Sequence, residues 1–355
     1  MAKPGLQPTK RPTLSIIAQR AEVSVSTASL VLAGKAKERR ISEEVVARVH
    51  EIARALDYSP NLLVRSMQQG RTHIMTFFNG FRHTRALNDQ YMDRLSTAIE
   101  RSGGSLGYDI LVYCDFRRSV TETYQYLNGG RGDGLLLFAV RPADPLLSYL
   151  RASRLPVVLI NSVDEEGCLS SVREDMQDGM RQVAQKLIAL GHRRIAALAN
   201  VPGGNPDADY RIALLREFLR ESGVTVPDRW ILSTDDLQPD DAGTALRFLM
   251  AEADPPTVIF CWHDRLGYQI LEQCETLGIS VPGQLSIVGY DGLRWPAQSR
   301  HILASVAIDL ESLAEHAVIL LDRLIDRKEV APIQKLVPVT LGLGTTLAPV
   351  GEASP

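Results

Sequence analysis

Two hydrophobic rhythms divide the chain. Over residues 13–59 the apolar positions recur at helical spacing, in three short runs. "TLSIIAQRA" sets Ile17, Ala18 and Ala21 on one face behind Thr13, a residue suited to an N-cap. After Glu22–Val23, Ser24 opens a second run with Ala28, Val31 and Leu32 facing inward, and Gly34 supplies the left-handed residue that ends a helix. Ser42 caps a third run, with Glu43 and Glu44 in its first turn, where carboxylates complement the helix dipole. Val45, Val46, Val49, Ile52, Ala53 and Leu56 form its stripe, which stops before Pro60.

From residue 73 the period changes. Short apolar runs recur: "IMTFF" (74–78), "DILVY" (109–113), "GLLLF" (134–138), "PVVLI" (156–160), "RIAALA" (194–199), "TVIFC" (257–261) and "SIVGY" (286–290). Amphipathic stretches of helical length separate most of them, such as Asp93–Arg101, Gly179–Leu190 and Arg211–Ser222. Strands alternating with helices predict parallel, doubly wound α/β sheets, and about 275 residues of this pattern form two lobes better than one.

Two short helices joined by a tight turn, with a third as buttress, are the helix-turn-helix pattern. The second helix presents Val25, Ser26, Ser29 and Leu30 outward, all short enough to let it settle into a major groove. Charge changes the picture further. Residues 1–72 hold twelve Lys/Arg against six Asp/Glu, a net of +6 that leaves −9 for the rest of a chain whose total is −3. A basic head on an acidic body points to a polyanion met by the head. The stretch "YSPNLLVRSMQQGRT" (58–72) follows a helix stop and has room for one or two turns before Gly70. A helix that short folds when docked against DNA or a partner chain. Its Arg65, Met67 and Gln68 offer a phosphate contact, an apolar wedge and a polar edge, a set that suits a minor-groove kinker.

"PTLSIIAQRAEVSVSTASLVLAG", "RISEEVVARVHEIARALDYSPN" and "RSMQQGRT" resemble the lactose-repressor (LacI/GalR) family of bacterial transcription regulators, closely over 12–72 and more loosely to about residue 348. The resemblance implies a homodimer whose two heads read a pseudo-palindromic double-stranded operator, with hinge helices that order on DNA and Met67 prised into a central base step. Carried onto this chain, the DNA contacts are Thr13, Ser24, Val25, Ser26, Thr27, Ser29, Leu30, Lys35, Lys37, Arg39, Asn61, Arg65, Met67 and Gln68. The family often has arginine where Leu30 stands and glycine where Glu22 stands. The bidentate arginine–guanine contact is therefore missing, and Leu30 offers apolar contact, for instance to a thymine methyl. The "KAKERR" loop (35–40) anchors phosphates, which positions without specifying. The implied layout is an arm over 1–12, a DNA-binding domain over 13–59, a hinge over 60–72 and a periplasmic-binding-protein-like effector and dimerisation body over 73–348. Within the body, lobe one takes about 73–190 and 305–333, lobe two takes 191–304 and 334–348, and 349–355 is a disordered tail.

Ligands of open α/β sheets sit outside the carboxyl ends of the strands. "FCWHD" ends one run at Trp262, His263 and Asp264, and "VGYDG" ends another at Asp291, with Trp295 close behind. Arg211 is expected to start the helix after the loop "VPGGNPDADY". Aromatic faces beside planar polar groups suit a sugar ring, and a purine uses the same set by stacking. By resemblance, Arg211 and Asp291 match the family's effector-binding arginine and aspartate, and His263 stands where many sugar-binding members have asparagine. Tyr91 and Asp178 fall near a cleft aromatic and a polar contact.

No enzyme motif competes. "GGRGDG" (129–134) precedes its strand, the wrong order for a phosphate loop, and there is no serine elbow, P-loop or metal spacing. No cofactor is expected. Cys114, Cys168, Cys261 and Cys274 lack paired spacing and read as reduced packing residues. The first twelve residues lack the apolar core of a signal peptide, and the apolar runs are too short for a span, so a cytoplasmic, nucleoid-associated protein is expected. A tail without leucine heptads favours a dimer over a tethered tetramer. The rival readings are a co-repressor-dependent regulator answering to a purine or a phosphoprotein and, from another class, a solute-binding protein, which needs no basic head, or a sugar enzyme.

Overall fold

Three helices form where the apolar spacing places them: α1 (Leu14–Arg20), α2 (Val25–Leu32) and α3 (Glu43–Ala55). The Ser24 hydroxyl accepts from Thr27 N–H and Ser42 accepts from Val45 N–H, each satisfying a donor the helix start leaves open. Thr13 has N-cap backbone geometry but its side chain makes no capping bond. Ile17, Ala18, Ala21, Ala28, Val31, Val49 and Ala53 are buried together, with Val45, Val46, Ile52 and Leu56 packed at the margin. Gly34 follows α2 at φ +73°, where a side chain would be strained.

The computed structural model describes residues 12–59, 66, 70–80, 89–115, 117–200, 205–235, 238, 240–295, 299–329 and 332–351. These fall into two units, Met1–Thr72 and His73–Pro355. Of the expected hinge, Ser66 is helical and its carbonyl accepts from Gly70 N–H. Asn61, Arg65, Met67 and Gln68 lie outside the described residues.

The second unit holds two six-stranded sheets. The first comprises β1 (Ile74–Asn79), β2 (Asp109–Val112), β3 (Gly134–Phe138), β4 (Val157–Ile160), β5 (Ser170–Glu174) and β11 (Gln334–Val337). Its order is β11-β5-β4-β3-β1-β2, parallel throughout. The second comprises β6 (Ile195–Asn200), β7 (Ile231–Thr234), β8 (Val258–Cys261), β9 (Ser286–Asp291), β10 (Ala304–Ile308) and β12 (Val339–Gly342). Its order is β12-β10-β9-β8-β6-β7, with β12 antiparallel to β10. The central strands β3, β4, β8 and β9 are buried at every position, as apolar runs covered on both faces must be. The helices are α4 (Gln90–Ser105), α5 (Val120–Leu127), α6 (Pro145–Arg151), α7 (Met176–Ala189), α8 (Pro206–Glu221), α9 (Asp241–Met250), α10 (Asp264–Leu277) and α11 (Leu310–Ile325).

The division into lobes differs from the expected one at three crossings. After β5 the chain leaves the first sheet at Asp175, so α7 packs on α8 and β12 of the second sheet. Strand β10 belongs to the second sheet, and the chain returns at Asp309 to lay α11 on α4, β3, β4 and β5. It crosses last at Pro338, with β11 ending on Val337 in one sheet and β12 starting on Val339 in the other. The first two crossings are each made by an aspartate that caps the next helix. The third is made by a proline, which has no N–H to give either ladder.

Three further expectations are corrected. Asn205 caps α8 and Pro206 takes its first position, so "PDADY" is helical and Arg211 sits in the second turn. The tail is ordered through residue 351, because Val350 N–H donates to Leu190 O and the Ala348 carbonyl meets His192 Nε2. Cys261 and Cys274 are buried, but Cys114 and Cys168 are exposed and pack nothing away from water.

Candidate functional site

In the head, α2 carries the surface that faces outward. Val25 is 48% exposed, Ser26 is exposed, and Ser29 and Leu30 are half-buried. The Ser24 and Thr27 hydroxyls lie 2.8 Å apart, so these two candidates bond to each other while they cap the helix. Lys35, Lys37 and Arg39 follow on an exposed loop beside the end of α2, which Lys35 N–H ties to Leu30 O. Thr13 is exposed at the start of α1. The arrangement is a helix with short side chains flanked by cations, the shape that enters a major groove between phosphates.

In the body, polar side chains gather at the carboxyl ends of β4, β5, β8 and β9. Arg211 is at their centre and only 3% exposed. Its Nη1 donates to the Trp262 carbonyl (2.7 Å) and to Asp291 Oδ1 (3.3 Å), and its Nη2 donates to Glu174 Oε1 (3.0 Å). The guanidinium carbon lies 3.6 Å from the centroid of the Tyr290 ring. Glu174 ends β5 of the first sheet and Asp291 ends β9 of the second, so one cation joins both lobes. Glu174 is held in turn by Asn161, whose Nδ2 donates to Oε2 (2.7 Å) and whose Oδ1 accepts from Glu174 N–H. The same Nδ2 reaches the Tyr91 hydroxyl at 2.9 Å.

Burial governs the electrostatics. It pushes the carboxyl groups of Asp291 and Asp89 above the usual range, with Arg211 opposing it at Asp291. It takes Asp207 to about 6 and Asp264 to about 8. The Tyr91 and Tyr290 phenols are raised well above 10 for the same reason. Burial opposes the charge on Arg211, but Asp291 and Glu174 outweigh it and hold the guanidinium protonated.

Asp291 has φ +109°, a strained value for a residue with a side chain. A small network holds it there. Asp264 Oδ2 accepts from Leu293 N–H (2.5 Å) and Oδ1 from the Ser305 hydroxyl (2.6 Å), while Ser305 Oγ accepts from Gly292 N–H. Gly289 lets strand β9 approach: a Cβ there would lie 2.3 Å from Asp264 Oδ1.

The structure brings together Arg211, Asp291, Tyr91 and the Trp262 carbonyl. The Trp262 side chain packs in the second sheet's core, its ring 3.9 Å from the ring of His263. His263 is the N-cap of α10, where Nδ1 accepts from Leu266 N–H. Trp295 is half-buried against both core clusters, with the Arg265 guanidinium 5.5 Å from its ring. Asp178 is not part of the cluster. It is exposed in the first turn of α7 and accepts from Gln182, because α7 starts only after the chain has left the first sheet. Sequence reasoning missed Asn161, Glu174, Asp207 and Tyr290. The strand-end rule applied to "PVVLI" would have reached Asn161, and Glu174 required "SSVRE" to be seen as a strand.

A family model described as "Bacterial regulatory proteins, lacI family" matches residues 13–61, and one described as "Periplasmic binding protein-like domain" matches 184–347. A protein of Pectobacterium carotovorum named "HTH-type transcriptional repressor PurR" is 27% identical over 335 residues, 93% of this chain and 95% of that one. Its namesake in Serratia proteamaculans is 28% identical over 332 residues, 92% and 94% of the two chains. Among solved structures, the lac repressor dimer bound to operator and the anti-inducer ONPF aligns with a TM-score of 0.81 at 22% identity, covering 95% of this chain and 99% of that one. The transcriptional regulator CelR in complex with cellobiose aligns at 0.67 and 24%, covering 95% and 100%. With the helix-turn-helix head and the two-sheet body both in place, the chain belongs to the LacI family of bacterial regulatory proteins and is a DNA-binding transcriptional regulator.

Proposed function

We propose that the chain is a homodimeric repressor, and not an enzyme, whose affinity for its operator is set by a sugar bound at the carboxyl ends of the two sheets. The observation that carries this reading is the Arg211 cluster, where one buried guanidinium is shared by Glu174 of the first sheet and Asp291 of the second. A ligand entering there competes for those bonds and so biases how the sheets meet. A ligand controls a two-state equilibrium only through its differential affinity for the states, and bonds that join the two sheets are where such a difference arises. Aromatic side chains at Tyr91 and Trp295 beside fork-shaped polar groups suit a sugar ring. The CelR structure, captured with cellobiose on the same fold, supports the sugar reading. DNA contact falls to Val25, Ser26, Ser29 and Leu30 for bases and to Lys35, Lys37 and Arg39 for phosphates, with the 60–72 hinge completing the interface.

The test uses the full chain and an operator selected from random duplexes. Operator affinity, followed by fluorescence anisotropy, is expected to change about 5- to 150-fold when a bound sugar saturates the protein. Identical operator affinity with and without saturating ligand removes the regulatory reading. Unchanged affinity on joint replacement of Arg65 and Met67 removes the hinge from the interface.

A further inference from the structure

The chain passes between the two sheets at Asp175, Asp309 and Pro338, and the partners of Arg211 lie beside all three crossings. Glu174 is the last residue of β5, directly before Asp175. It is in register with Val337, the residue before Pro338, and the Asp175 N–H donates to the Val337 carbonyl at 2.9 Å. Asp291 ends β9 in register with Ala307, close before Asp309. A guanidinium bonded to both Glu174 and Asp291 therefore ties the sheets together where the chain turns from one into the other. Residues at the ends of elements are the ones that turn when two lobes close or open.

The two arms of this tie differ. Arg211, Asp291 and the Trp262 carbonyl all come from the second sheet and the helix packed on it, so Glu174 is the guanidinium's one partner from the first sheet among the described residues. A rotation that withdraws Glu174 leaves Arg211 with Asp291 and Trp262, and leaves Glu174 with Asn161, which bonds it twice. The Nη2 it vacates adjoins Nε, which is buried with no acceptor among the described residues, so water or a ligand oxygen can take that edge. Asn161 and Asp291 hold φ of +46° and +109°, strained values that persist where surroundings over-determine them, as at switch regions. The packing around the crossings is close. A Cβ on Gly179 in α7 would lie 3.0 Å from the Tyr290 hydroxyl, from Val306 and from Val339. Elements packed this tightly move between discrete arrangements and do not deform by degrees. A buried ion pair is also a poor source of net stability, since apolar residues of the same shape do as well. One that can part with both carboxylates still bonded suits a switch.

We propose that the Glu174–Arg211 ion pair is a hinge clamp that fixes the angle between the lobes of the ligand-free chain, with Asn161 as the residue that aims it. The clamp is a property of the fold alone. That its release changes operator affinity rests on the regulatory reading above.

The experiment compares the ligand-free full chain with Glu174→Gln, which keeps the shape and removes the charge, by small-angle X-ray scattering and native-state hydrogen exchange. The expected result is a changed scattering profile, with exchange of the Asp175 amide at least about tenfold faster while the strands away from the crossings stay protected. Operator affinity without ligand is expected to move at least about fivefold. Should Glu174→Gln lose cooperative unfolding, Asn161→Gly decides the matter, because glycine accepts that φ and removes only the amide that aims Glu174; the same changes are expected, smaller in size. An unchanged scattering profile overturns the clamp, whether exchange stays as it was or rises throughout the second sheet, since the pair is then a packing contact only. A changed profile with operator affinity unaltered leaves the clamp standing and removes the regulatory reading.

Discussion

The two proposed recognition sites, the head and the cleft, are built with opposite geometries. The head's proposed reading surface centres on one continuous stretch, residues 24–40, in which one eight-residue helix and its following loop present nine of the fourteen candidate contacts. The cleft is assembled from Tyr91, Asn161, Glu174, Arg211, Trp262 and Asp291, drawn from both sheets and 200 positions of chain. An exposed helix face is set by a 3.6-residue period and tolerates exchange of its side chains. The cleft is buried, so each charge depends on a partner supplied from elsewhere. One region therefore accommodates single substitutions, and in the other a single substitution strands its partners.

The largest effect should come from the cleft. Arg211→Ala leaves Glu174 and Asp291 buried without their shared cation and is expected to cost about 3–5 kcal/mol in urea unfolding. A loss below about 1 kcal/mol would mean that water replaces the guanidinium and that the cluster is less dry than its burial indicates.

The next effect is one of pH. Asp207 has a folded value near 6 against an ordinary 3.8, so the folded state holds its proton longer than the unfolded chain does. Its contribution to stability is complete below 3.8 and is lost as pH rises from there through about 6. Asp207→Asn should flatten that part of the stability–pH curve; an unchanged curve would place Asp207 in water.

Smaller effects belong to the head. Leu30→Arg should shift base preference toward guanine at one symmetric pair of operator positions by about 1–3 kcal/mol, read from selected-sequence profiles. An unshifted profile would mean that Leu30 does not face the bases. Ser24→Ala removes the hydroxyl that caps α2 and bonds to Thr27, and should lower head stability by about 1 kcal/mol. If operator affinity fell by much more than that, Ser24 would be a DNA contact as well as a cap.

Legibility followed the same division. Helix starts at Ser24 and Ser42, the inward stripe of α3 and the seven apolar runs of the body were all readable, because each is fixed by neighbours within a few residues. Strands β5, β7, β10, β11 and β12 were not. "SSVRE" carries charge and hydroxyls in a strand whose burial comes from its neighbours in the sheet. The lobe boundaries were misplaced because a sheet crossing needs only one residue, and Asp175, Asp309 and Pro338 look like ordinary caps and turns.

The sequence by itself determined the helix-turn-helix head, the doubly wound character of the body and the carboxyl strand ends where Arg211, Trp262, His263 and Asp291 lie. Periodicity and capping are local, so no tertiary information was needed to see them. Only the tertiary structure decided that Glu174 faces Arg211 across the sheets, that Asn161 aligns it, and that Asp178 stands outside. Those facts depend on which strand lies beside which. A hydrogen bond between residues 37 positions apart leaves no mark on the spacing of either.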